Sequence, residues 1–117
     1  MLPARFEYHR PESLDEALSL LDAHAEDGKV MAGGMSFIPL LKLRFAAPGH
    51  VIDLGRLSDL RGISESDGWL RLGATTTHGD IEHDDTVRAR YPAMAAAAPQ
   101  ISDPIIRNWG AAAAIAG

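Results

Sequence analysis

The sequence predicts an α+β fold in two lobes. Residues 1–55 form a small parallel β-α-β-α-β lobe, and residues 56–117 form an α+β lobe with antiparallel strands. Three observations carry this. Strand-like and helix-like segments alternate as far as Leu54, the pattern of a parallel sheet covered by helices. Beyond that point two apolar-alternating runs flank Ser66-Asp67-Gly68, a hairpin-type turn. The length, 117 residues, is that of one domain or of two small lobes sharing a core.

In the first lobe, Phe6-Glu7-Tyr8-His9 alternates as a short strand ended by Pro11. Ser13-Leu14-Asp15-Glu16 reads as a capping box opening a helix. Leu14, Ala17, Leu18, Leu21 and Ala25 follow the 3.6-residue period, so one stripe is expected to face a core, and Asp27-Gly28 ends the helix. Val30-Met31 begins a second strand that runs into Gly33-Gly34. Phe37 to Phe45 is expected to be helical, with Pro39 tolerable only in its first turn. Pro48-Gly49 is a turn and His50 to Leu54 a third strand. Val30-Met31 and Val51-Ile52 are expected to be neighbours in one sheet, with a right-handed crossover carrying Phe37 to Phe45 onto a sheet face.

In the second lobe, Leu60 to Glu65 and Trp69 to Ala74 form the hairpin. Thr75 to Thr77 cap a short helix reaching His83. Thr86 to Ala98 is helical, with Pro92 at a break or at the start of a new helix. Ser102-Asp103-Pro104 is a loop, and Ile105 to Gly110 lead into Ala111 to Ala114. Trp69 and Trp109 are expected in the core or at an interface, and the alanines from Ala93 to Ala98 in close helix packing.

Composition removes several function classes. With 16 acidic and 11 basic residues the net charge is −5, and no Lys/Arg cluster offers a nucleic-acid surface. There are no cysteines, hence no disulfide, thiolate metal site or cysteine nucleophile; the absence fits a cytoplasmic setting. No apolar run reaches membrane-spanning length, and the N-terminus lacks the basic and apolar regions of a signal peptide. No acid/base or nucleophile pair stands out.

The richest chemical signal is Ala32-Gly33-Gly34-Met35-Ser36, between a strand and an expected helix. Paired glycines permit positive φ and close approach of backbone to ligand. Successive N–H groups there can converge into a nest for an anion, and a helix start adds unpaired donors. Ser36 either caps that helix or donates its hydroxyl to a phosphate oxygen. The alternative is a tight turn without a ligand. The loop is neither the three-glycine dinucleotide fingerprint nor a Walker loop. His78, Asp80, Glu82, His83, Asp84 and Asp85 contain metal-ligating residue types. However, His78 and His83 are five apart, not the four that stack on one helix face, and the run reads as solvated.

Taken together, these segments resemble the flavin-binding medium subunit of the molybdenum hydroxylases, the family of carbon monoxide and xanthine dehydrogenases. Phe6 to Tyr8 and Ser13 to Ala17 match its Phe-x-Tyr strand and Ser-x-x-Glu-Ala helix. Ala32 to Ser36 match its Ala-Gly-Gly-x-Ser, Ile38 to Leu43 its Leu-x-Pro-x-x-Lys text, and Ile52 to Leu54 its Ile-Asp-Leu strand. Leu72 to His78 resemble its Ile-Gly-Ala-x-x-Thr-His. Asp103 to Gly110 resemble the segment before its second flavin motif, Thr-Ile-Gly-Gly. At those four positions this chain carries Ala111, Ala112, Ala113 and Ala114. The match covers roughly the first half of the family's subunit, so the second lobe reads as truncated.

The resemblance implies a PCMH-type FAD-binding fold, incomplete here, with FAD as cofactor. Its pyrophosphate is expected on Ala32, Gly33, Gly34, Met35 and Ser36, between the lobes, with Arg107, Asn108, Gly110 and Ala111 to Ala114 facing it. For Arg107 and Asn108 loop anchoring is the competing reading; for Thr75 to His78 it is helix capping. No catalytic residue and no metal ligand is expected in this chain. The resemblance further implies partners: a large molybdopterin subunit and a small iron–sulfur subunit, from which electrons pass through flavin to an external acceptor. A flavin-free scaffold or assembly subunit, and a stand-alone phosphate- or nucleotide-binding module, are the competing functions.

Overall fold

The computed structural model describes residues 2–112. The fold class predicted from the sequence is observed: a parallel sheet with two helices, then a hairpin with short helices. Contacts divide the chain into two compact units between Ser58 and Asp59, and each is described by itself.

The first unit contains β1 (Glu7–His9), α1 (Leu14–Ala23), β2 (Gly28–Met31), α2 (Phe37–Lys42) and β3 (His50–Asp53). All pairing is parallel and the strand order is β1-β3-β2. Val30 pairs with Ile52 and Met31 with Asp53, so the two expected neighbours do share a ladder. Successive residues of a strand point to opposite faces. Val51 and Ile52 are 1% and 0% exposed, so the central strand β3 is covered on both faces, as parallel sheets require.

Ser13 caps α1 as predicted: its Oγ accepts the Glu16 N–H at 3.1 Å. The Glu16 carboxylate reaches one residue further back than in a capping box, accepting the N–H of Glu12 at 3.0 Å. The predicted inward stripe of α1 needs correction. Ala17 is buried, but Leu14 and Leu18 are 40% and 55% exposed, and Ala25 is exposed and lies beyond the helix, which ends at Ala23. The buried line runs through Ala17 and the half-buried Leu20, Leu21 and His24 instead.

Helix α2 is also shorter than expected. Arg44 takes a positive φ of 59°, and the N–H groups of Phe45 and Ala46 fold back to the Leu40 carbonyl at 3.0 and 3.3 Å. A left-handed residue with backward bonds of this kind closes a helix. Pro39 lies in the first turn, where its missing N–H breaks no bond.

The second unit contains β4 (Ile63–Ser66), β5 (Trp69–Leu72), α3 (His78–His83), α4 (Asp85–Arg90), α5 (Pro92–Ala97) and α6 (Pro104–Arg107), with single 3-10 turns at Ser58–Leu60 and Ala98–Gln100. β4 and β5 pair antiparallel through the predicted turn, where Asp67 and Gly68 have φ of 51° and 80°. Two positive φ values mark the turn type whose twist suits a hairpin. Pro92 does start a new helix, occupying its first turn after the break at Tyr91. The core is Ile81, Val87 and Ala98, with Ile63, Leu70 and Leu72 of the hairpin packed on it. Of the alanine-rich stretch only Ala95 and Ala98 turn inward. Trp69 and Trp109 are 77% and 58% exposed, so neither belongs to the core.

Candidate functional site

The glycine loop follows the carboxyl end of β2, the edge of a parallel sheet at which ligands bind in open α/β folds. The Met31 carbonyl accepts the Leu54 N–H at 2.9 Å and ties the loop's entry to the end of β3. Gly33 and Gly34 then take φ of 73° and 78°. Consecutive residues in this region are accessible to glycine at low cost and to few others. Gly34 is buried, and a Cβ on it would lie 2.6 Å from Ile38 Cδ1. The Gly34 carbonyl accepts the Ile38 N–H at 2.9 Å.

The loop's donors are left over. The N–H groups of Gly33, Gly34, Met35 and Ser36 have no hydrogen-bond partner among the described residues. Ser36 stands at the N-cap of α2 with helical dihedrals and makes no side-chain cap bond. Of the two roles open to its hydroxyl, capping is therefore not the one observed. Since α2 has only six residues, the loop N–H groups, and not a helix dipole, are the anion-binding chemistry here. Ala32 is half-buried and Met35 exposed. This donor set suits a pyrophosphate: several neutral N–H groups and one hydroxyl on consecutive residues.

One neighbour at the same sheet edge was not singled out in the sequence. Asp53, the last residue of β3, accepts the Tyr8 hydroxyl, lies 3.9 Å from Arg10 Nε and accepts the Gly55 N–H at 2.9 Å. The hydrogen bond to Asp53 holds the Tyr8 phenol above its usual range, helped by burial and the Asp53 charge and opposed by Arg10 and Arg56. The only signal for this pairing is the strand register, Tyr8 beside Val51, which a single sequence does not reveal.

In the second unit the predicted residues divide. Arg107 anchors loops. Its Nε donates to Glu82 at 3.2 Å, and its Nη1 donates to the carbonyls of Pro99 at 2.6 Å, Ser102 at 3.0 Å and Ile101 at 3.4 Å. Asn108 makes no side-chain hydrogen bond among the described residues and lines an open cleft of about 520 Å³ with Thr76, Gly79 and Asp80. Gly110 is buried, and a Cβ there would lie 2.9 Å from the His78 ring. Its carbonyl accepts the His78 N–H at 3.0 Å, Ala111 bridges to Thr77, and the Ala112 N–H donates to the Thr76 carbonyl at 2.7 Å. Residues 110–112 are thereby laid along Thr76 to His78. Ala113 and Ala114 lie outside the described residues.

The threonines and acids of this region do structural work. Thr77 and Asp80 form a capping box, each accepting the other's N–H at 3.1 Å. Thr76 Oγ1 both donates to the Gly62 carbonyl and accepts its N–H, at 3.0 Å each. Asp84 caps α4, accepting the Val87 N–H, and His83 Nδ1 lies 2.9 Å from the Gly79 carbonyl. Arg61 grips Asp80 with two bonds of 2.9 and 3.0 Å. That ion pair, with the Thr77 hydrogen bonds, holds the Asp80 carboxyl below its usual range despite partial burial.

Comparison with known proteins follows the same lines. Residues 4–116 match the family model described as the FAD binding domain in molybdopterin dehydrogenase. The chain is 47% identical over 110 residues to the carbon monoxide dehydrogenase medium chain of Hydrogenophaga pseudoflava, covering 94% of this chain and 38% of that one. It is 39% identical over 110 residues to the glyceraldehyde dehydrogenase medium chain of Sulfolobus acidocaldarius, covering 94% and 39%. Among solved structures, carbon monoxide dehydrogenase from H. pseudoflava superposes with a TM-score of 0.92 at 46% identity, over 97% of this chain and 39% of that one. Quinoline 2-oxidoreductase from Pseudomonas putida 86 gives 0.92 at 33% identity, over 97% and 40%. The chain thus spans about two fifths of the length of the relatives it matches. On the family match over nearly its whole length, the chain belongs to the FAD-binding domain family of the molybdopterin dehydrogenases.

Proposed function

We propose that this chain is the flavin-binding module of a molybdenum-containing hydroxylase or dehydrogenase, an FAD-dependent oxidoreductase subunit acting within a complex. The observation that carries the reading is the run of four unpartnered N–H groups from Gly33 to Ser36 on a loop whose φ values glycine alone tolerates well. These groups would hold the FAD pyrophosphate, with the Ser36 hydroxyl donating to a phosphate oxygen and Ala32 setting the entry of the loop. Asn108 and the backbone from Gly110 to Ala114 are the candidate second contact region, whereas the Arg107 guanidinium acts there by fixing the loop. Bound flavin supplies electron transfer between iron–sulfur clusters and an external acceptor such as NAD, oxygen or a quinone. The protein contributes binding and orientation.

The proposed partners are a large molybdopterin subunit and a small iron–sulfur subunit; the name medium chain, carried by two relatives, supports a multi-subunit setting. Among the described residues no helix is long and apolar enough to cross a membrane, and the proposed setting is the cytoplasm. The test is flavin retention: the purified chain is mixed with FAD, desalted and read for flavin absorbance. In a chain carrying Thr-Ile-Gly-Gly at positions 111–114, Gly34→Val should abolish what is retained, while Ser36→Ala should weaken it about tenfold, one hydrogen bond to a charged group. Equal retention by both variants would overturn the loop assignment. A colourless protein that still captures the large and small subunits would establish the flavin-free scaffold function instead.

A further inference from the structure

We infer that His9, His24 and His50 form a binding site for one divalent transition-metal ion of the zinc type in the first unit. Three of the chain's five histidines converge there from separate elements. His9 is the last residue of β1, His24 follows the last turn of α1, and His50 opens β3. Ring nitrogens from all three lie within 4.8 Å of one another, and each residue is half-buried. His9 Nε2 and His50 Nδ1 are 3.0 Å apart. At that distance the two rings share a hydrogen bond, and two nitrogens bound at about 2.0–2.1 Å to one tetrahedral ion lie about 3.3 Å apart, so an ion would replace the shared proton with a small separation of the rings. His24 stacks on His50 with ring centroids 3.5 Å apart and planes 16° from parallel. Lone pairs lie in the ring plane, so binding requires the His24 ring to turn out of the stack.

The donor chemistry sets the class of ion. Three imidazoles without thiolate or carboxylate suit zinc, copper or nickel and disfavour calcium and magnesium. Three protein ligands leave a fourth position for water. A net charge of −5 favours cation uptake, and partial burial leaves a path for the ion. An ion here would clamp β1, the end of α1 and β3, joining positions 41 residues apart in the chain. The site stands on these three residues alone and is independent of the flavin loop.

The experiment uses the metal-stripped full chain, titrated with Zn²⁺ by calorimetry and with Co²⁺ by visible absorption. One ion per chain is expected, with a tetrahedral-type Co²⁺ band and a higher thermal midpoint in Zn²⁺. His24→Gln should weaken binding by more than about 100-fold, beyond the 10- to 100-fold cost of losing an outer-sphere partner. That variant keeps the helix end, because the cap bond runs from the His24 backbone N–H to Leu20. His83→Gln, outside the cluster, should bind like the parent. Ring-proton NMR of the parent gives a reading free of mutation: Zn²⁺ should move the signals of His9, His24 and His50 and leave those of His78 and His83. Absence of binding, equal binding by His24→Gln, or shifts spread over all five histidines would overturn the site.

Discussion

At the scale of single residues, the cost of a side chain depends on what its backbone must do. Gly34 must be glycine twice over, because its φ is 78° and a Cβ would meet Ile38 at 2.6 Å. Asp80 illustrates a different dependence, on charge. Arg61 and the Thr77 cap favour its ionised form, so its folded pKa lies below the ordinary aspartate value. A depressed carboxylate contributes stability that is fully present above the unfolded value and is lost as pH falls through the folded one. The parent should therefore lose this contribution progressively as pH falls below the ordinary aspartate range. Asp80→Asn should be less stable at neutral pH, and the gap between the two should close in acid. Thermal unfolding across pH checks this; a constant gap would show that Asp80 acts through its cap geometry alone.

Elements follow local rules where those rules are strong. The hairpin turn at Asp67-Gly68 and the caps at Ser13 and Thr77 are legible in sequence, because each is a contact among neighbours in the chain; Asp84 and Asp103 also cap helices, where the sequence reading has a solvated run and a loop. Nothing lies within 4 Å of a Cβ added at Gly68, so Gly68→Ala tests backbone strain without a clash. It should destabilise the second unit by about 1 kcal/mol, read by urea unfolding. Periodicity was a poorer guide. Leu14 and Leu18 follow the helical period of α1 yet remain exposed, since a stripe states only that residues share a face. The end of α2 at Lys42 was also illegible, because it depends on Arg44 adopting a left-handed conformation that nothing in its side chain announces.

At the scale of the molecule, the loop from Gly33 to Ser36 and the segment from Gly110 to Ala114 have unequal chemistry. The first keeps its glycines and free donors; the second carries four alanines where the family carries Thr-Ile-Gly-Gly. Alanine removes a hydroxyl and resists positive φ, so flavin retention by the parent should be weak or absent. Ala111→Thr, Ala112→Ile, Ala113→Gly and Ala114→Gly combined should raise retention, measured as flavin absorbance surviving desalting. No gain would mean that the alanines are not what limits binding.

The sequence by itself determined the parallel and antiparallel halves, the hairpin turn, the caps at Ser13 and Thr77, the glycine loop and the family, since all of these are written in local patterns and ordered motifs. Tertiary structure alone decided three things: which loop N–H groups stay unpaired, that Arg107 spends its guanidinium on Glu82 and nearby carbonyls, and that His9, His24 and His50 meet. The reason is physical. Each depends on how separate elements pack, and in the first unit placing β3 between β1 and β2 brings together residues that no spacing along the chain relates.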